Sequence, residues 1–211
     1  MSKHETVAGI AAPLPLNNLD TDQIMPKQFL FGIDKSGLAR GVLYDLRTDT
    51  SGLPRNEFVL NQPAYSGARI LITGANFGCG SSREHAVWGL QQAGFEAVIA
   101  PSFGEIFYFN ALNNRLLLVM LDPSIVAALI ELVSDPAKSQ LTIDVQRQRV
   151  VTADGDEYPF DLPERQKRMF VEGLDMIRMT LSDAEAIDAF EARHYADHPW
   201  MKIDLPKQQR A

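Results

Sequence analysis

Cysteine is almost absent from this chain: Cys79 is the one thiol in 211 residues. A single thiol excludes an internal disulfide. It also excludes an iron–sulfur cluster held by this chain alone, because such clusters need several thiolates. Long apolar runs are missing too. Leu116–Leu121 and Ile125–Ile130 fall far short of the roughly 20 residues that cross a bilayer, so no membrane span is expected. Basic residues are outnumbered, 20 Lys and Arg against 27 Asp and Glu, and a net charge of -7 argues against nucleic acid as a partner. The first residues, Met1–Glu5, contain none of the apolar stretch of a secretory signal, and a cytoplasmic location is expected.

What is present suits a compact domain: the chain is 45% hydrophobic, enough for a core. Residues 7–16 read as a short apolar strand leading into the polar turn cluster Asn17–Asp22. The segment 32–63 lacks sustained periodicity and reads as loop with short helical pieces. Alternation follows: a strand at 69–73, a helix at about 82–93 stopped by Gly94, a strand at 97–100, a helix opened by Pro101-Ser102 and reaching 113, a strand at 116–121 and a helix at 123–133. That β-α-β-α-β order predicts a parallel α/β layer. The character then changes: 141–145 and 150–152 alternate as strands, and Asp154-Gly155 is a strong turn signal before 158–160. A helix at 164–172 ends at Gly173, and Ser182-Asp183-Ala184-Glu185 has the form of a capping box opening a last helix to Tyr195. One domain is expected over 1–195, with an irregular tail over 196–211.

The segment Gly74–Ala86 carries most of the chemistry. Glycines allow close backbone approach, Ser81 and Ser82 stand at a helix entry, and Arg83 follows. Helix N-termini present unpaired N–H donors and a positive dipole end, which suits a carboxylate or phosphate. Familiar loops are excluded. A dinucleotide fingerprint needs a third glycine where Arg83 stands, a P-loop needs Gly-Lys-Ser/Thr, and a nucleophile elbow needs glycine two residues after the serine. Ser81 with Glu84 fits a capping box, which alone would make Ser81 a helix start. The paired glycines, second hydroxyl and arginine shift the balance towards an anion site, with Arg83 as a carboxylate clamp.

Asn76-Phe77-Gly78-Cys79-Gly80-Ser81-Ser82-Arg83-Glu84-His85-Ala86 resembles the signature of the swivelling domain in the aconitase superfamily. Asp20–Leu30, beginning Asp20-Thr21-Asp22-Gln23-Ile24-Met25-Pro26, resembles that family's N-terminal motif. With Ala100-Pro101-Ser102-Phe103 and the free-standing length, the chain is similar to the small-subunit family of bacterial 3-isopropylmalate dehydratases, from about Gly9 to Tyr195. The resemblance implies an α/β swivelling domain of β/β/α type, a mixed sheet with flanking helices. It implies a hydro-lyase of leucine biosynthesis that isomerises 2-isopropylmalate to 3-isopropylmalate by removing and re-adding water. It also implies, as partner, a large subunit holding a 4Fe-4S cluster, with no metal bound by this chain.

Residue by residue, the resemblance makes Ser81 the base, gives Ser82 and Arg83 the substrate carboxylate and puts Asp22 near the base. Asp20-Thr21-Asp22 would also suit a plain turn or cap. The segment Phe29-Leu30-Phe31-Gly32-Ile33 aligns with the family's specificity loop. Lacking a cation, its Leu30 and Phe31 offer an apolar wall for an isopropyl group and leave an extra carboxylate unpaired. They could equally be core, and Lys27 or Arg47 could supply a charge. Sibling hydratases of the citraconate, methylmalate or homoaconitate type, and a non-catalytic hydroxy-acid-binding module, are the alternatives. Cys79 is expected as a packed loop residue, His85 as packing within the first helical turn, and His194 and His198 as surface residues. The Gly74–Arg83 loop and the Phe29–Ile33 segment are expected to be exposed.

Overall fold

The computed structural model describes residues 5–30 and 35–202. Its contacts fall into two compact units, Met1–Asp175 and Met176–Ala211. The boundary expected from the sequence at 195 lies inside the second.

The first unit is built on one mixed sheet. Its strands are β1 Thr6–Leu14, β2 Ile70–Thr73, β3 Ala97–Ala100, β4 Leu117–Met120, β5 Gln140–Asp144, β6 Arg149–Thr152 and β7 Glu157–Pro159, in spatial order β4-β3-β2-β1-β5-β6-β7. The half from β1 to β4 is parallel, and β5, β6 and β7 add antiparallel beside β1. β2 and β3 are buried at every position, as expected of parallel strands covered on both faces.

The side chains divide with a period of two. Ala12, Leu14, Leu71, Val98, Ala100 and Leu118 enter one core, while Val7, Ala11, Ile70, Ile72, Ala97, Ile99, Leu117 and Val119 enter the other. The first core is covered by α3 Glu84–Gln92 and α4 Glu105–Asn114, through Ala86, Val87, Leu90, Phe107 and Ala111. It also receives α1 Thr21–Ile24, and Leu46 from α2 Tyr44–Arg47 packs against it. The second core is covered by α5 Pro123–Val133 and α6 Glu164–Glu172. The expected alternation, the bounds of α5 and α6, and the Gly173 stop are all present.

Three helix starts differ from expectation, and that of α3, at Glu84 rather than about 82, belongs to the site described below. The helix after Pro101-Ser102 begins only at Glu105, because Ser102 and Phe103 pair with the loop holding Asn76 and Phe77. In the second unit α7 Met176–Leu181 precedes α8 Ala184–Asp197. The capping box at Ser182 does not form, since Ser182 Oγ donates back to Met179 O at 2.6 Å at the end of α7. α8 buries none of its side chains. His194 and His198 stack with centroids 4.8 Å apart, and the helix ends at Asp197 before Pro199.

Candidate functional site

Because β1 and β2 are parallel neighbours, the loops that follow them leave the sheet side by side. Backbone bonds zip the two loops together. The N–H groups of Asn18, Gly78 and Thr21 donate to Ala75 O at 2.8 Å, Leu19 O at 2.7 Å and Cys79 O at 2.9 Å. The loop after β3 braces the other side. Phe77 N–H donates to Ser102 O at 3.1 Å and Gly104 N–H donates to Phe77 O at 2.8 Å. Phe77 is fully buried and meets the rings of Phe103 and Phe107 edge-on. Gly78 has a φ of +75° and lies against Phe107, where a Cβ would strike the ring. The site thus stands at the carboxyl ends of three parallel strands, where open α/β sheets place their ligands.

The first motif forms α1, and its two aspartates take different parts. Asp20 caps the helix: its Oδ1 accepts from Gln23 N–H at 2.7 Å, and its own N–H donates to Gln23 Oε1 at 3.1 Å. Asp22, inside the first turn, forms an ion pair with Arg83 Nη1. That nitrogen is buried without an acceptor in hydrogen-bonding geometry, so the contact is a charge pairing rather than a directed bond. The Arg83 side chain is 13% exposed and that of Asp22 44% exposed. A pair so open to water contributes at most about 1 kcal/mol to stability.

Ser81 and Ser82 are exposed. Among the described residues neither their hydroxyls nor the N–H groups of Ser81, Ser82 and Arg83 have a hydrogen-bond partner. The capping box expected between Ser81 and Glu84 is not formed. α3 begins at Glu84 with Arg83 at the cap position, and Glu84 Oε1 instead accepts from Asn114 Nδ2 at 2.6 Å. Ser81 is drawn away from that role because its carbonyl accepts from Thr21 Oγ1 at 2.8 Å, which ties it to α1. The two serines therefore sit in the loop ahead of the helix. Gly80 and, ahead of it, Asn76 are exposed with them, whereas Phe77 and Gly78 are buried, so the loop faces water on either side of a buried middle.

Ser81, Ser82, Arg83 and Asp22 are thus brought together. Leu30 is half-buried and packs against the core that holds α1, which gives it a core part on its inner side. Phe31, with Gly32 and Ile33, lies outside the described residues. Arg47 is not in the cluster. Its Nε donates to Asn61 Oδ1 at 3.0 Å, it lines a groove with Arg40, Tyr44 and Thr48, and burial pushes its pKa down. Lys27 is exposed in a single 3-10 turn and makes no ion pair with the cluster among the described residues. Cys79 is half-buried with Sγ 3.5 Å from Asn18 O, and His85 packs on Trp88 at 4.8 Å between ring centroids. Sequence reasoning missed Thr21, although it stands between the two aspartates it singled out.

Comparison with known proteins places the fold in a family. Residues 1–124 match the aconitase C-terminal domain, and residues 176–204 match the C-terminal domain of the 3-isopropylmalate dehydratase small subunit. Fold and loops together define an aconitase-type domain. The 3-isopropylmalate dehydratase small subunit 1 of Chromobacterium violaceum is 58% identical over 206 residues, covering 96% of this chain and 95% of the relative. That of Mannheimia succiniciproducens is 44% identical, covering 96% and 100%. A crystal structure of 3-isopropylmalate dehydratase from Methanocaldococcus jannaschii superposes with a TM-score of 0.60 at 26% identity, covering 88% of this chain and 99% of that one. The chain belongs to the 3-isopropylmalate dehydratase small-subunit family.

Proposed function

We propose that this chain, in the cytoplasm, completes the active site of a large subunit and isomerises 2-isopropylmalate to 3-isopropylmalate. The observation that carries this is the exposed Ser81-Ser82 pair beside the Asp22–Arg83 ion pair, at the carboxyl ends of the parallel strands. Family membership supports it.

The residues of this chain do not fit the family's 4Fe-4S cluster. Cys79 is its one thiol, and no group of three or more potential metal ligands occurs among the described residues. We assign the cluster to the large subunit.

This chain's part is proton transfer and carboxylate binding. Ser81 Oγ takes the proton from the carbon next to a substrate carboxylate and returns a proton at the neighbouring carbon when water re-adds. A serine alkoxide needs donors around it, and unpaired backbone N–H groups at the approach to α3 are suited to that. Ser82 and Arg83 hold the carboxylate. A charged hydrogen bond to a guanidinium contributes about 1.5–3 kcal/mol, more than the half-open Asp22 pair, so a substrate carboxylate shielded by the partner competes well for Arg83. Leu30 is assigned to the apolar wall beside the isopropyl group, and the family resemblance gives Phe31 the same part.

Anaerobic turnover by this chain mixed with a cluster-loaded large subunit tests the assignment. Activity on 2-isopropylmalate is expected in the mixture and from neither part alone. The activity should exceed that on an analogue whose isopropyl group is replaced by a carboxylated one. Preference for the carboxylated analogue would move the assignment to a homoaconitate-type sibling. Ligand binding by the isolated chain with no gain from the partner would favour a non-catalytic module.

A further inference from the structure

Thr21 is 1% exposed, one of few buried polar side chains, and its hydroxyl reaches 60 positions along the chain. It donates to the carbonyl of Ser81 at 2.8 Å, while the Thr21 N–H donates to Cys79 O at 2.9 Å. One residue therefore grips the glycine-rich loop at two carbonyls, either side of Gly80. We propose that Thr21 is a positioning residue for Ser81, setting the peptide plane from which the base and its neighbouring donor project. This rests on Ser81 as the base.

The geometry follows from the planar peptide. No peptide bond in the described residues is cis, so the carbonyl of Ser81 and the N–H of Ser82 point in opposite directions. With the carbonyl turned inward to Thr21, the N–H of Ser82 turns away from α1, and it has no partner among the described residues. Gly80 gives the loop no stiffness of its own, since glycine adopts left- and right-handed conformations with similar ease and here has a φ of +90°. No other hydrogen bond of the described residues holds the Ser81 or Ser82 peptide. Removing one hydroxyl therefore frees the plane to rotate.

Thr21→Val keeps the buried shape and deletes the donor, and Thr21→Ser keeps the donor. Both are assayed in the complex with the large subunit, beside Ser81→Ala, with melting temperature and subunit pairing followed. Thr21→Val is expected to lower kcat by about 10–100-fold, because small misplacement of a reacting group costs rates of that order. KM should change much less, pairing should persist, and Thr21→Ser should restore most of kcat. A wild-type kcat in Thr21→Val, or a loss that only tracks lost pairing or folding, overturns the proposal. If Ser81→Ala remains fully active, the base assignment itself fails and Thr21 falls with it. An inactive Ser81→Ala beside a fully active Thr21→Val rejects Thr21 alone.

Discussion

Asp20 and Asp22 stand two positions apart with the same side chain, yet one closes a capping box and the other meets Arg83. The division follows from helix geometry. The cap position offers its oxygen to the first-turn N–H groups, and Asp22 lies beyond that reach, in the first turn. Gly78 shows the same economy of position. Its left-handed backbone and the ring of Phe107 leave no room for a methyl group. Gly78→Ala is expected to displace the loop that carries Ser81, lowering activity of the complex by an order of magnitude or more and lowering the melting temperature. Activity assays and thermal melts check this, and a variant with both unchanged would mean that the loop has slack.

At the scale of the element, helices in this chain start where side chains and loops allow. α5 opens at Asp122, whose carboxylate accepts from Ser124 N–H at 2.8 Å and Ser124 Oγ at 2.6 Å. The hydroxyl and then the backbone N–H of Ser124 hold the Asp122 carboxyl below its ordinary value of 3.8. A depressed carboxyl stabilises the fold above its unfolded pKa and loses that contribution as pH falls through the folded one. Asp122→Ala should therefore lower the melting temperature at neutral pH, with the gap to wild type closing below about pH 3.8. Melts across that range check it.

The strand and helix alternation from β2 to α5 was legible in the sequence because buried parallel strands and amphipathic helices differ in period and length. α6 was legible from its closing glycine. α3 was placed two residues early because Ser81 to Glu84 satisfies the capping pattern, and the competing bond from Thr21 comes from a distant part of the chain. The six-residue α7 left too short a pattern to read.

At the scale of the whole molecule, the candidate site is a consequence of strand order. Asp22 and Arg83 are far apart in sequence, and only the parallel pairing of β1 with β2 lets their loops meet. Spacing alone could not show that pairing, whereas the motifs themselves were legible as a resemblance. The same topology leaves the hydroxyls of Ser81 and Ser82 facing water without a hydrogen-bond partner among the described residues. The proposed function stands on Ser81 as the base of a site that the large subunit completes. It is tested most directly by comparing Ser81→Ala with wild type in the assembled complex, reading both turnover of 2-isopropylmalate and exchange of its abstracted proton with deuterated solvent. Turnover and exchange should fall together by about 1,000-fold, within the range for loss of a general base, with subunit pairing intact. Exchange at the wild-type rate in the paired variant would contradict the claim and return Ser81 to a loop residue.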